Sequence, residues 1–374
     1  MTQISAPRVI LAPDKFKGSL SAPQVAAALA AGLTRSAPDA DARLVPVADG
    51  GDGTVEAFVA AGWTRVELTA PGPTGVPRRA AYARHGARAV VELAAVVGLS
   101  ALPEGRLDPL TASTYGLGVV LAHAMDHGVT DIVLGLGGSA STDGGAGMLQ
   151  ALGARILDAD GQELPAGGAA LTRAAELNRS ALHPGVAATT FTLACDVDNP
   201  LLGPTGAVAV YAPQKGAGPA ESEVLESALA TWAFVAGPDF AGHPGAGAAG
   251  GTGFGALAVL GARVRSGIEV VLELLEFPDL LATATLVVTG EGSLDRQSLH
   301  GKAPVGVCMA ARKAGVPVIA VVGRALLEPD EIRAAGFAGC YALADLEPDP
   351  ARCMTDAASL LERVGARIAT EQLT

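Results

Sequence analysis

The sequence predicts a two-domain α/β protein, and three observations carry that reading. Short β-branched apolar runs alternate with Ala-rich segments at helical spacing, the pattern of strands and crossover helices in a parallel sheet. At 374 residues the chain is too long for one ordinary compact domain. The βαβ-like pieces stand at its two ends, with a differently styled stretch between them. The simplest architecture is a discontinuous Rossmann-like parallel-sheet domain, residues 1–65 plus 285–374, with a second α/β domain, residues 66–284, inserted and an interdomain cleft.

The elements follow in order. Val9 to Ala12 is the first strand and runs into Pro13-Asp14-Lys15-Phe16-Lys17-Gly18-Ser19; Ser21 then caps a helix with Val25, Leu29 and Leu33 on one face. Leu44 to Val47 reads as a second strand, ending in Ala48-Asp49-Gly50-Gly51-Asp52-Gly53-Thr54 before a helix through Val55, Phe58 and Val59. From Val66 to Leu102, extended runs broken by Pro and Gly read as β-meander. A helix from Ser113 to about Asp126 precedes the stretch Asp131 to Met148. Thr190 to Cys195 reads as a strand that ends in Asp196-Val197-Asp198-Asn199-Pro200, Ala207 to Tyr211 as another strand, and 219 to 235 as a helix. Gly242 to Gly255 is the most glycine-dense segment. Its formal GxGxxG match has no strand before it, so it reads as a flexible or ligand-closing loop. Leu286 to Thr289 leads into Gly290-Glu291-Gly292-Ser293-Leu294-Asp295-Arg296, and a helix near Lys302, a strand Val316 to Val322 and a helix at about 355 to 369 complete the chain.

Composition excludes several functions. Hydrophobic residues make up 49% and aromatics 4%, which describes an ample core of Ala, Val and Leu. A net charge of −12, with no Lys/Arg cluster, argues against a nucleic-acid surface. The four cysteines form no CxxC pair, so neither a zinc site nor a disulfide framework is indicated. The N-terminal apolar run is too short for a signal peptide, and no stretch approaches the ~20 apolar residues of a membrane helix. The expectation is a cytoplasmic protein, monomer or homodimer, with no nucleic-acid or membrane partner.

Asp131 to Met148, DIVLGLGGSASTDGGAGM, is an apolar run, a turn of Gly, Ser and Thr, and a helix start. Gly135, Gly137 and Gly138 lack Cβ atoms, so successive N–H groups could close on a phosphate, and Ser139, Ser141 and Thr142 add hydroxyls. The competing reading is a tight connection whose glycines serve packing only. Lysine usage bears on the choice: five of the 26 basic residues are Lys, and four of those, Lys15, Lys17, Lys215 and Lys302, lie in or beside Gly-bearing turns. Lys is a compact charge suited to phosphate oxygens. In an open parallel sheet ligands bind beyond the carboxyl ends of the strands, where Asp14, Lys15, Lys17, Asp49, Asp52, Glu291, Asp295 and Arg324 would gather. Gly-rich turns, a few cations and many turn carboxylates suit phosphoryl transfer with Mg²⁺. No Walker motif is present, because Gly301-Lys302 is followed by Ala303 and lacks the upstream glycine.

Taken together, PDKFKGSLSA, PVADGGDGTVEAF, GLGGSASTDGGAGMLQALGA, CDVDNPLLGPTGAVAVYAPQKGA, GAAGGTGFG and GEGSLDRQSLHGKAPVGV resemble the bacterial glycerate kinases of the glycerate 2-kinase type, in family order from Pro13 to Gly306. The resemblance implies ATP-dependent phosphorylation of D-glycerate to 2-phosphoglycerate, with Mg²⁺, on a two-domain α/β fold. Asp52 departs from the Glu often found there, Ser141-Thr142 occupy a variable part of the loop, and the chain after Arg324 is the least family-like.

Residue roles are inferred from charge and position. Gly137, Gly138, Ser139, Ser141, Thr142, Asp143, Gly144 and Gly145 are expected to hold nucleotide phosphates, helped by Lys15 or Lys17. Asp196 and Asp198 coordinate Mg²⁺ or orient the glycerate hydroxyl, and an Asx-type turn competes for those two carboxylates. Asp295 is the expected general base, with Lys15 and Asp196 beside it in catalysis. Asp14, Lys17, Asp49, Arg296, Lys302 and Arg324 are expected around the substrate. Rival functions are a kinase for a related small hydroxy acid, a dehydrogenase, and a non-catalytic metabolite- or nucleotide-binding protein.

Overall fold

The computed structural model of the protein describes residues 6–373. It is α/β, as expected, and comprises two compact units. The first is Met1–Asp49, Glu56–Gly62 and Ile268–Thr374; the second is Gly50–Val55 and Trp63–Gly267. In chain order the strands are β1 (Arg8–Pro13), β2 (Asp41–Leu44), β3 (Thr64–Pro71), β4 (Pro77–His85), β5 (Arg88–Glu92), β6 (Asp131–Gly135), β7 (Arg155–Leu157), β8 (Glu176–Asn178), β9 (Thr190–Ala194), β10 (Arg263–Arg265), β11 (Leu286–Leu294), β12 (Val318–Ala325) and β13 (Gly339–Ala342).

The first unit is built on a parallel five-stranded sheet in the order β13-β12-β11-β1-β2. Val9, Ile10, Leu11 and Ala12 are wholly buried, as a central strand covered on both faces requires. β2 begins earlier than the sequence suggests. Its ladder nonetheless continues through the expected residues, with Val45 N–H donating to Leu11 O at 2.8 Å and Val47 N–H to Pro13 O at 3.0 Å. The helix Ala22–Ser36 starts where Ser21 N–H donates to Gln24 Oε1 at 2.9 Å, a capping arrangement. It meets the helix Ala357–Gln372 where small residues let the backbones touch: a Cβ on Gly32 would lie 1.8 Å from Glu362 O. From β1 the chain crosses to β2 on one side, and from β11 it crosses through the helix Ala303–Lys313 to β12 on the other. The topological switch point therefore falls between β1 and β11.

The second unit has a six-stranded sheet in the order β10-β9-β6-β5-β4-β3, antiparallel from β3 to β5 and parallel from β5 to β10, plus the small pair β7-β8. The meander reading thus holds for β3, β4 and β5. Leu134, Phe191, Trp232 and Phe254 lie in its buried core.

Two sequence expectations are corrected here. Ala207–Tyr211 is a short helix, not a strand, with Ala207 and Val208 buried and Val210 exposed. Five residues are too few to show a period, and β propensity yields to packing. The glycine-dense segment is not a loop throughout: after turns to Gly247, Ala248–Leu260 is a largely buried helical stretch broken by the left-handed residues Ala249, Gly250 and Gly251. Its glycines serve close approach: a Cβ on Gly253 would sit 2.1 Å from Gly245 O. Among the described residues no helix is long and apolar enough to cross a membrane.

Candidate active site

Parallel register brings the charged residues of the first unit side by side. Pro13 pairs with Gly290, and Asp14 N–H donates to Gly290 O at 2.8 Å, so Asp14 leaves β1 beside Glu291, which is still within β11, at the switch point. Asp49 follows two residues after Val47, whose N–H is bonded to Pro13 O. Asp14 is half-buried, and Lys15 N–H donates to its Oδ1 at 2.6 Å. Burial above all, then the negative charge of Asp49 and, less, of Glu291, pushes the Asp14 carboxyl up to about 7 against the pull of Lys15. Glu291 is only 8% exposed, its carboxyl is raised by burial, and its Oε1 has no hydrogen-bond partner.

Asp295 has a different setting. Burial pulls its carboxyl upward, but hydrogen bonds from Ser298 and the Lys302 charge outweigh that and hold it below the ordinary carboxylate range. Ser298 N–H donates to Asp295 Oδ1 at 3.1 Å, and Lys302 Nζ lies 3.8 Å from the same oxygen. Arg324 pairs with Ser293 across β11 and β12 and donates to Ser293 Oγ at 3.1 Å. Lys17 is exposed on the turn after β1. Arg296 is not gathered to the strand ends; its guanidinium is turned to Glu331 at 3.3 Å.

In the second unit the loop after β6 is held from beneath. Gly135 and Gly137 make room for a neighbouring turn: added Cβ atoms would lie 2.1 Å from Gly50 O and 2.8 Å from Gly51 Cα. Gly53 and Val55 of that turn donate their N–H groups to Glu92 Oε2 at 3.1 and 3.2 Å, and Glu92 itself is buried at the end of β5. Asp143 is fully buried and accepts from Thr114 N–H at 2.7 Å, Thr114 Oγ1 at 2.8 Å, and Gly145 and Gly147 N–H at 3.2 Å each. The Gly145 N–H expected to face a phosphate is thus turned to the loop's own carboxylate. The helix that follows, Ala146–Ala151, is also short. Lys215 is buried and donates to Ser139 Oγ at 2.7 Å and to Ser141 O. Burial pushes this ammonium down to about 7, against the pull of Asp143. Of the eight residues expected at the nucleotide, Gly137 and Gly138 are exposed, whereas Ser139, Ser141, Thr142, Asp143, Gly144 and Gly145 are buried.

Asp196 and Asp198 follow β9 and are exposed, and Asp196 Oδ1 accepts Gly267 N–H at 2.9 Å. Among the described residues no group of three or more His, Cys, Asp and Glu side chains could hold a metal ion. Two exposed carboxylates still fit Mg²⁺, which takes one or two from a protein and completes its octahedron with phosphate oxygens and water.

Glu92 escaped the sequence reading of the site, and the settings of Lys215 and Glu291 did so in part. Glu92 reads only as the end of the apolar run RAVVE. Lys215 is visible as one of five lysines but not as an interior one, and Glu291 lies in a motif without standing out from Asp295.

The geometry can be compared with known proteins. A model described as the Glycerate kinase family matches residues 9–372. The chain is 41% identical over 368 residues to a glycerate kinase of Halalkalibacterium halodurans, covering 96% of this chain and 97% of that one. It is 43% identical over 324 residues to a glycerate 2-kinase of Escherichia coli, covering 84% and 85%. A crystal structure of a Salmonella typhimurium protein assigned as glycerate kinase 2 superposes with a TM-score of 0.86 at 39% identity, covering 98% of both chains. By motif order, fold and these likenesses, the chain belongs to the glycerate kinase family, and is a kinase.

Proposed function

We propose that this kinase phosphorylates D-glycerate from ATP, with Mg²⁺, giving 2-phosphoglycerate. The observation that carries the reading is the family match along residues 9–372, which takes in every motif from the β1 turn to the turn after β11. Each unit is taken by itself. In the first, Lys15, Lys17, Asp49, Lys302 and Arg324 bind and orient the acid, with Asp295 held ionised beside Lys302. In the second, Gly137 and Gly138 offer exposed backbone to the nucleotide, while Asp143 and Lys215 fix the loop's shape from inside. Asp196 and Asp198 would hold Mg²⁺, which supplies charge neutralisation between the phosphates. Arg296 belongs to this reading only if it leaves Glu331.

The test is ADP release by the purified protein with D-glycerate and Mg-ATP, and NMR assignment of the phosphorylated carbon. Release that depends on D-glycerate, with phosphate on C2, is expected. Phosphate on C3 would reverse the product assignment, and no release with D-glycerate or related hydroxy acids would overturn the kinase reading in favour of a binding protein.

A further inference from the structure

We propose that Asp14 is the general base, the carboxylate that takes the proton of the acceptor hydroxyl as the phosphoryl group is transferred; the assignment rests on the kinase reading above. A base needs a position at the substrate, an open face and a proton affinity near the working pH. Position comes from topology, since Asp14 leaves β1 beside Glu291 at the switch point of a parallel sheet, where ligands of such sheets bind. An open face comes from partial exposure, and Lys15 N–H fixes the carboxyl through Oδ1, leaving Oδ2 for the proton.

Proton affinity comes from the surroundings. The charged groups facing Asp14 are Lys15 on its own turn, Asp49 from the extension of β2 and Glu291 from β11; behind Glu291 stand Asp295, Ser298 and Lys302. Burial first, and then the negative neighbours, outweigh the lysine and hold the group near neutrality. Glu291 Oε1, buried without a partner, keeps that side of the cluster poorly solvated. Asp295 lacks this property: Ser298 and Lys302 occupy it and make it a weak proton acceptor.

The step balances. The substrate O–H bond breaks, its proton goes to Asp14, and the oxygen's electron pair forms the new bond to the γ-phosphorus. The bond from that phosphorus to the β,γ-bridging oxygen breaks, its pair leaving on ADP, and Asp14 releases the proton to water after the product departs.

The experiment compares wild type, Asp14→Asn, Asp14→Glu and Asp295→Asn. For Asp14→Asn, kcat should fall by about 10²- to 10⁴-fold while KM for D-glycerate stays within about threefold. In wild type, kcat/KM for D-glycerate should rise with pH to a plateau, with its bend near the value of about 7 held by Asp14. That acid limb should vanish from the residual rate of Asp14→Asn, shift in Asp14→Glu and persist in Asp295→Asn, whose loss should fall mainly on KM. Circular dichroism checks that each variant is folded, and Asp14→Glu serves if Asp14→Asn is not. Wild-type turnover in Asp14→Asn, or an acid limb that survives there and disappears in Asp295→Asn, would overturn the assignment while leaving the kinase reading intact. No ADP release by wild type with any hydroxy acid would overturn both.

Discussion

Asp14 and Lys215 meet the same cost of desolvation with opposite charges, and each is pushed toward neutrality near pH 7. Their effects on stability are separable by pH. A carboxyl raised in the folded state keeps a proton that the unfolded chain has already released, so stability falls as pH rises from the ordinary carboxylate range through 7 and is level above. Asp14→Asn should therefore gain Tm over wild type, little at pH 4 and more at pH 8; a gain that shrinks as pH rises would contradict the burial argument. For Lys215 the folded form has lost its proton where the unfolded chain still holds one, so stability rises from about 7 toward the ordinary lysine range. Lys215→Met should flatten that alkaline rise in a Tm-against-pH series, even if loss of the bonds to Ser139 and Ser141 lowers Tm throughout.

Among the elements, the kinked helical stretch Ala248–Leu260 makes the sharpest prediction, at its left-handed break. Gly250 has φ of +67°, and a Cβ there would lie 2.1 Å from Ser141 O and 2.8 Å from Lys215 Nζ. Gly250→Ala should cost about 2 to 5 kcal/mol in urea unfolding, from left-handed strain and overpacking together; a loss under ~0.5 kcal/mol would mean that the loop tolerates displacement. This helix also shows where the sequence stopped being legible. Glycine density marks either mobility or close backbone packing, and only the partner atoms, here Gly245 O and Ser141 O, decide between them. By contrast β1, β9 and the helices Ala22–Ser36 and Pro219–Ala236 were readable to within a few residues, because period and capping are local. The site divides in the same way. Asp14, Asp49 and Asp295 were visible as charges in turns after strands. Which of them is desolvated depends on strand order, and strand order joins residues that are distant in sequence. Glu92, and the burial of Lys215, were hidden because a buried polar group is recognised by its partners, not by its neighbours in the chain.

For the whole molecule, a net charge of −12 means that any anionic substrate is drawn in by a few local cations against a repulsive background. Ligand linkage offers a check that does not depend on turnover. Mg-ATP at a hundredfold excess over its Kd should add about 2.7 kcal/mol to stability and raise Tm, whereas a nicotinamide dinucleotide should not; the reverse would favour a dehydrogenase. Chelation by EDTA should abolish ADP release and Mg²⁺ should restore it, and unchanged release after chelation would remove the metal from the reaction. The order of the strands also has a consequence in time. Thr289 on β11 donates to Ala12 on β1 across 277 residues of chain. At about 5–20 residues per second, β1 leaves the ribosome roughly 14–55 s before the strand that completes its pairing. For that interval a strand that is apolar after Arg8 has β2 on one edge and an open edge on the other, the condition under which nascent chains recruit chaperones or pair with each other. Most of the second unit, Trp63–Gly267, is synthesised within that wait, so the first unit is begun first and finished last.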